Sequence, residues 1–354
     1  MFQVVPIEGK GCGIVASKFI KRGTLILKEV SQMPSIDVPS PNLQMQSDSS
    51  MVDYIKKIVS VFELMNKSDK EEYLKLHNKY ERDHVLQGNF RLNLKVQNLK
   101  TIIMKIDADA GKAENILKII GIYETNSFGN GLKLKTSRFN HSCWPNAVQI
   151  SNEVRATYNI KEGQEITINY LESSRLFGMK KRGTRQKLLL ERMDFTCFCF
   201  FCKKQENYSN SKTEVELDSK IEGLIQEVEI LEHFADLAKT VQTPLKGLQL
   251  YPPEKCRHEI GKYKELYKFG KEKKAHHSCL FDILSRGYQI AALEYQLCYF
   301  SQNHQFLEEF KKECVNFSRA AEGFGKLLGN EIVMPELWKR RQNFEKYFFE
   351  KINE

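Results

Sequence analysis

The sequence predicts an α+β protein in which strands and helices occupy separate stretches of the chain. Short runs of residues that favour strands fill residues 1–30 and 146–170. Helical spacing of apolar residues runs from about 51 to 121 and returns beyond residue 205. Strands and helices that are segregated rather than alternating are typical of this fold class.

The first 30 residues indicate short strands separated by turns. Gly11-Cys12-Gly13 interrupts the first run, and a turn at 21–23 leads into Thr24-Leu25-Ile26-Leu27, whose residues suit a strand. Residues 31–50 contain three prolines among many Ser, Gln and Asp residues, which predicts an irregular linker.

An amphipathic helical pattern follows from about 51 to 121. Ile55, Ile58 and Phe62 lie three and four residues apart and predict one apolar helix face. Gly121 would suit a helix end. We therefore expect a helical insertion that ends near this glycine.

The second group of strands is predicted at 147–150, 154–158 and 165–168. Ser151-Asn152 and Glu162-Gly163 supply the turns between them.

Residues 213–354 show successive amphipathic helical patterns, which predict an all-helical C-terminal domain. Tetratricopeptide-like helix pairs and a plain helical bundle both fit, because the sequence has no clear repeat signature.

Length and composition narrow the class of protein. A chain of 354 residues is long enough for two or three domains. No apolar run approaches the length that spans a membrane, and the N-terminus lacks a secretory signal. We expect an intracellular protein of the cytoplasm, the nucleus or both. The net charge of +9 is spread among acidic residues, which favours solvated helix faces over direct nucleic-acid binding.

A cysteine cluster indicates a metal site. Cys197-x-Cys199-x-x-Cys202 places three thiols in one short loop, whereas tetrahedral zinc needs four ligands. Clustered cysteines in a reducing compartment are more often metal ligands than disulfides. Buried apolar cysteines are the alternative, which the close spacing disfavours.

Three motifs in a fixed order carry a resemblance to a known family. Asn140-His141-Ser142-Cys143-Trp144-Pro145-Asn146 is followed by the strand-like run 165–169 that leads to Tyr170, and then by the cysteine cluster. Together they resemble the catalytic half of a SET-domain protein methyltransferase, in particular its SMYD-like branch. The resemblance covers Val5 to about Gln205.

The resemblance implies a fold of small curled β-sheets with a knot-like crossing that brings residues 140–143 and Tyr170 together. It implies a SET domain over 1–172, with the helical insertion inside it. A connecting helix and a post-SET zinc cluster would occupy 173–205. Cys143 would be the fourth ligand of one structural zinc ion, beside Cys197, Cys199 and Cys202.

The same resemblance implies S-adenosylmethionine as the cofactor. Lys10 would face the methionine carboxylate, Asn140 and His141 would contact the adenosine part, and Phe200 would stack on the adenine. The implied cofactor-binding residues are Lys10, Gly11, Cys12, Gly13, Asn126, Asn140, His141, Tyr170 and Phe200. Glycines let a backbone approach a ligand closely, although a simple β-turn also explains residues 9–13. No helix pattern follows Gly13, which excludes a dinucleotide fingerprint.

Tyr170 is the implied catalytic residue. Deprotonating a free lysine at neutral pH costs about 4–5 kcal/mol. A narrow apolar channel would favour the neutral amine, and the Tyr170 hydroxyl would align it for in-line attack on the methyl group. We therefore expect a protein-lysine N-methyltransferase that acts as a monomer on histone or non-histone proteins.

Two other functions compete with this hypothesis. A hydrolase could use His141 as the base for Cys143, but side chains two residues apart seldom face each other in a strand. A catalytically weak or inactive SET-fold binding protein is the second alternative. Cys12 stands where the family more often has Arg or Asn, and the linker 31–50 has no Cys or His to form the family's MYND zinc finger.

Overall fold

The computed structural model describes most of the N-terminal 208 residues and parts of the C-terminal region. The described residues are 1–37, 48–81, 90–171, 177–208, 216, 218–226, 253–272, 280, 283–284, 286–288, 291 and 307–328.

The strands of the described residues are short and form three small sheets. In chain order they are β1 (Phe2–Ile7), β2 (Gly11–Ala16), β3 (Leu25–Lys28), β4 (Ser127–Phe128), β5 (Gly131–Leu132), β6 (Asn140–His141), β7 (Ala147–Ile150), β8 (Glu153–Ala156) and β9 (Glu165–Ile168). The sheet orders are β1-β2-β9-β6, β3-β8-β7 and β4-β5. The pairs are antiparallel except β6 with β9, which run parallel. The α+β prediction is confirmed.

The N-terminal hairpin turns earlier than the sequence indicated. Gly11–Ala16 is a strand, so the expected break at Gly11-Cys12-Gly13 is wrong. The turn lies between β1 and β2, where the Lys10 N–H donates to the Ile7 carbonyl at 3.0 Å. Gly9 and Gly11 both have positive φ, at 71° and 73°, which glycine adopts without steric cost.

The helical insertion is confirmed and extends beyond its predicted limits. Its helices are α1 (Asp48–Leu64), α2 (Lys67–Leu74), α3 (Phe90–Ile106) and α4 (Ala110–Asn126). The Asn66 and Asp109 side chains accept backbone N–H bonds at the first turns of α2 and α4 and so cap these helices. Ile55, Ile58 and Phe62 are buried in the core of the insertion, as the spacing predicted.

The prediction that a helix ends at Gly121 is wrong, because α4 continues to Asn126. A Cβ atom on Gly121 would lie 2.1 Å from the Asn78 Oδ1 and 2.6 Å from the Tyr80 Cδ2. Glycine therefore fits at this position because the neighbouring side chains leave no room for a Cβ atom.

The second group of strands also forms, with β7 and β9 at the predicted residues and β8 at Glu153–Ala156 instead of 154–158. Ser151, with φ of 51°, and Gly163, with φ of 75°, occupy the turns between these strands. Ile14, Phe139 and Ile166 are fully buried in the core beneath the sheets.

The linker predicted at 31–50 is only partly described. Residues 31–37 are irregular apart from a bridge between Met33 and Leu132, residues 38–47 lie outside the described residues, and α1 begins at Asp48.

The described C-terminal residues are helical, which confirms the predicted secondary structure for that part of the chain. The helices beyond the sheets are α5 (Arg182–Met193), α6 (Phe200–Tyr208), α7 (Pro253–Glu272) and α8 (Leu307–Leu328). Tyr263, Leu266 and Phe310 are buried in a common core. Tetratricopeptide-like pairing and the domain limits at 172 and 213 stay predictions. No helix among the described residues combines the length and apolarity needed to cross a membrane.

Candidate functional site

A cavity of about 920 Å³ opens where the N-terminal hairpin, the end of the insertion and the strand ends meet. Its lining includes Lys10, Gly11, Cys12, Asn126, Asn140, Asn169, Tyr170, Met193 and Phe195. Six of the nine predicted cofactor-binding residues are among these or face the same space. The exceptions are Gly13, His141 and Phe200.

Asn140 is held by a network that joins three segments. Its Nδ2 donates to the Cys12 carbonyl at 3.2 Å and to the Glu165 Oε1 at 2.9 Å. The other Glu165 oxygen pairs with the Lys10 Nζ at 2.6 Å. One carboxylate therefore orients both the hairpin lysine and the strand asparagine.

Gly13 lies behind this network. A Cβ atom there would approach the Asn140 Nδ2 and the Ile7 Cγ1 to 2.6 Å each. Glycine leaves the space that the Asn140 amide occupies, so its contribution to the site is indirect.

Asn126 ends α4 at the cavity wall. Its Nδ2 donates to the His77 and Ile122 carbonyls, both at 2.7 Å. Because both amide hydrogens are used, its Oδ1 is the atom left to accept a hydrogen bond from a ligand.

The parallel pairing of β6 with β9 brings residues 140–143 beside Tyr170. Asn140 pairs with Thr167 and His141 with Ile168, and the Ser142 N–H donates to the Ile168 carbonyl at 2.9 Å. The expected juxtaposition of these segments is confirmed.

Asn146 fixes the loop that follows β6. Its side chain donates to the Glu165 carbonyl and accepts from the Thr167 N–H, both at 2.8 Å. The asparagine at the end of the Asn140–Asn146 motif thus ties this loop to the backbone of β9.

Tyr170 lines the cavity, and its hydroxyl is hydrogen-bonded to the backbone. The Oη donates to the Phe139 carbonyl at 2.7 Å, and the ring meets Phe195 edge-on with centroids 6.2 Å apart. Burial, and next the negative charge of Glu165, raise the pKa of Tyr170 above its ordinary value. The side chain is therefore a neutral phenol at physiological pH.

His141 is buried beneath Tyr170 and does not line the cavity. Its Nδ1 accepts from the Tyr170 backbone N–H at 3.1 Å, which leaves the Nε2 proton directed at the Cys143 Sγ, 3.4 Å away. Burial lowers the pKa of His141 to about 3, so the ring is neutral.

The premise used against a Cys/His hydrolase is wrong, because His141 and Cys143 do face each other. A Cys/His hydrolase is still disfavoured, for another reason. The Cys143 side chain is 1% exposed and packed among other cysteines, where no substrate can reach its sulfur.

Four cysteines converge at the end of the sheet. The sulfur atoms of Cys143, Cys197, Cys199 and Cys202 lie within 4.8 Å of one another, and those of Cys143 and Cys202 are 3.5 Å apart. Tetrahedral zinc with Zn–S bonds of about 2.3 Å separates its sulfurs by about 3.8 Å. An all-sulfur donor set of this size could hold zinc.

Phe195, and not the predicted Phe200, lines the cavity. Phe200 is 81% exposed at the first turn of α6 and does not line the cavity, whereas Phe195 does. Sequence reasoning passed over Phe195, although it stands between the end of α5 and the first cysteine of the cluster.

Glu165 and Arg185 were also missed. Glu165 opens a predicted strand next to a turn, a position where exposed acidic residues are common. Arg185 lies in a helix rich in charged residues, and only the structure shows it to be buried.

Comparison with known proteins finds similarity over part of this chain. The SET domain family model matches residues 11–171. Histone-lysine N-methyltransferase set5 of Schizosaccharomyces pombe is 27% identical over 212 residues, which cover 58% of this chain and 51% of the relative. The SET domain-containing protein L678 of Acanthamoeba polyphaga mimivirus is 28% identical over 210 residues, which cover 55% of this chain and 75% of the relative.

A third relative is human. Protein-lysine N-trimethyltransferase SMYD5 of Homo sapiens is 36% identical over 95 residues, which cover 25% of this chain and 22% of the relative. This chain therefore spans about half of the yeast relative and less than a quarter of the human one. The region matched by the family model contains β2, the insertion and the later strands that line the cavity. Residues 11–171 match the SET domain family, and parts of the chain are similar to proteins named as lysine methyltransferases, among them one of the SMYD type.

Proposed function

We propose that this protein is an S-adenosylmethionine-dependent protein-lysine N-methyltransferase that acts on histone or non-histone proteins. The observation that carries the proposal is the convergence of Lys10, Asn140 and Tyr170 on one cavity from segments far apart in the sequence. A volume of about 920 Å³ suits a cofactor together with a lysine side chain, because ligand pockets measure about 300–1,000 Å³.

The cavity wall offers groups that match the polar parts of the cofactor. Lys10 supplies a cation for the methionine carboxylate, and the Asn126 Oδ1 supplies an acceptor for its amino group. Glu165 holds Lys10 and Asn140 in place before the ligand arrives, which reduces the entropy lost on binding.

When bound, the cofactor would supply a sulfonium-linked methyl group, a good electrophile. Transfer of that group to a lysine would need a neutral amine held in line with it, and Tyr170 and Phe195 are the residues that would meet this need.

Tyr170 would position the amine rather than remove its proton. A phenol with a raised pKa is a poor source of phenolate at neutral pH. Because its own hydrogen is committed to the Phe139 carbonyl, its oxygen lone pairs can accept a hydrogen bond from the incoming amine. Phe195 beside it lowers the local polarity, which favours the neutral amine.

The four cysteines would hold zinc in a structural role. Cys143 follows β6 by two residues, so a metal bound there ties the segment after α5 to the strand that carries Asn140. Phe195 precedes Cys197 by two residues and is held against the cavity by the same connection.

The test replaces Tyr170 by Phe and uses Tyr73→Phe as a matched control. The Tyr73 hydroxyl also donates to a backbone carbonyl at 2.7 Å, that of Ile119, but Tyr73 lies in the core of the insertion. Both variants lose the same type of hydrogen bond. Transfer of a labelled methyl group to a lysine-containing protein should fall at least about 100-fold in Tyr170→Phe, the scale expected for losing a positioning contact, and little in the control.

Calorimetry with S-adenosylmethionine distinguishes a failure to bind the cofactor from a failure to transfer the methyl group. Unchanged turnover in Tyr170→Phe would refute the proposed part played by Tyr170. Cofactor binding by the unmodified protein without transfer to any protein substrate would favour the binding or regulatory alternative. Absence of cofactor binding would refute the proposed function as a whole.

A further inference from the structure

Arg185 is a fully buried cation next to the cysteine cluster. It lies in α5 and has no solvent-exposed surface. Its Nη2 donates to the Cys202 Sγ at 3.6 Å and to the Gln205 Oε1 at 2.7 Å, and its Nη1 donates to the Lys180 carbonyl at 2.5 Å. The guanidinium also stacks on the Phe201 ring, 4.6 Å from its centroid.

These contacts provide acceptors for most of the N–H donors of Arg185, but they do not neutralise its positive charge. A backbone carbonyl and an amide oxygen are neutral, and the described residues offer Arg185 no carboxylate at ion-pair distance. A buried charge without a counter-charge destabilises a fold strongly, so buried arginines are normally paired.

The cysteine cluster can supply the missing negative charge only as thiolates. Four neutral thiols would leave the guanidinium uncompensated. Four thiolates around one divalent zinc ion carry a net charge of −2, and an adjacent guanidinium reduces the total charge of the group to −1. The arginine and the metal–thiolate group would therefore stabilise each other.

We infer that Arg185 is the counter-ion of the four-cysteine metal site and determines how firmly that site holds zinc. By donating to the Cys202 sulfur from a fixed, buried position, it would stabilise the negative charge of the metal–thiolate group. Through Gln205 and the Lys180 carbonyl it also connects α6 to the start of α5, so the charge is fixed in position. Groups around metal ligands commonly change metal affinity by about 10–100-fold when removed.

The alternative is that Arg185 only fills space and makes neutral hydrogen bonds. Substitutions of Arg185 distinguish the counter-ion hypothesis from this alternative. Arg185→Lys keeps the charge and loses the planar donor group, Arg185→Gln keeps donors without charge, and Arg185→Met keeps a long side chain alone. Lys187→Gln removes a cation from the same helix at an exposed position, with 75% of the side chain accessible, and is the matched control.

The experiment measures zinc per chain by atomic emission and the rate at which zinc passes to a chromogenic chelator. The unmodified protein and Lys187→Gln should hold one zinc ion and release it at the same slow rate. Arg185→Lys should release zinc within about threefold of that rate, whereas Arg185→Gln and Arg185→Met should release it about 10–100-fold faster.

Equal release rates for Arg185→Gln and the unmodified protein would overturn the inference. So would zinc release from Arg185→Lys as fast as from the neutral variants, since charge would then not be the determinant. If neither neutral variant folds, the zinc-release rate of Arg185→Lys, compared with that of the unmodified protein, decides the question. Less than one zinc ion per unmodified chain would also overturn the inference, and none of these readouts depends on methyl transfer.

Discussion

Replacing Gly121 by Ala tests whether the insertion is packed as described. Alanine favours a helix over glycine by about 1 kcal/mol, so local propensity alone predicts stabilisation. The added Cβ would lie 2.1 Å from the Asn78 Oδ1, which accepts the Tyr80 N–H at 3.0 Å, and both side chains are buried. Relieving such an overlap costs about 1–3 kcal/mol, and breaking the hydrogen bond costs about 0.5–1.5 kcal/mol.

The expected net effect of Gly121→Ala is a loss of about 0.5–3.5 kcal/mol in the free energy of unfolding, measured by urea denaturation followed by circular dichroism. Gly261→Ala is the control, because Gly261 is also helical but nothing lies within 4 Å of its added Cβ. Gly261→Ala should raise the free energy of unfolding by about 0.5–1 kcal/mol. A Gly121→Ala variant as stable as the control would refute the packing argument.

Two predictions concern the cavity. Lys10→Met should raise the dissociation constant for S-adenosylmethionine by no more than about fivefold at low salt, because the Lys10 side chain is 37% exposed and ion pairs in water are weak. Calorimetry with methylthioadenosine, which lacks the carboxylate, should show no change; an equal loss for both ligands would contradict the assigned contact. The rate of methyl transfer should rise with pH as the substrate amine deprotonates and should not fall near pH 10, about the ordinary pKa of Tyr, because the pKa of Tyr170 is raised. A descending limb that disappears in Tyr170→Phe would contradict a neutral phenol.

The local elements were predictable because each depends on short-range patterns. The strand-favouring residues of 147–150 and 165–168 and the spacing of Ile55, Ile58 and Phe62 indicate strands and a helix directly. Gly121 was misjudged because a glycine that ends a helix and one that admits a neighbouring side chain look the same in sequence. Only the position of Asn78 distinguishes them.

The motifs supplied the composition of the candidate site, and the tertiary structure supplied its arrangement. The sequence by itself determined that Asn140–Asn146, Tyr170 and three clustered cysteines are present in an order shared with SET domains. Only the fold decided that β6 lies parallel to β9, that Cys143 joins the cluster in space, and that Phe195 rather than Phe200 lines the cavity. Likewise, the pairing of Lys10 with Glu165 joins residues 155 positions apart. The physical reason is that residue type and periodicity determine local backbone geometry, whereas burial, charge pairing and ligand convergence depend on which distant segments the packing brings together.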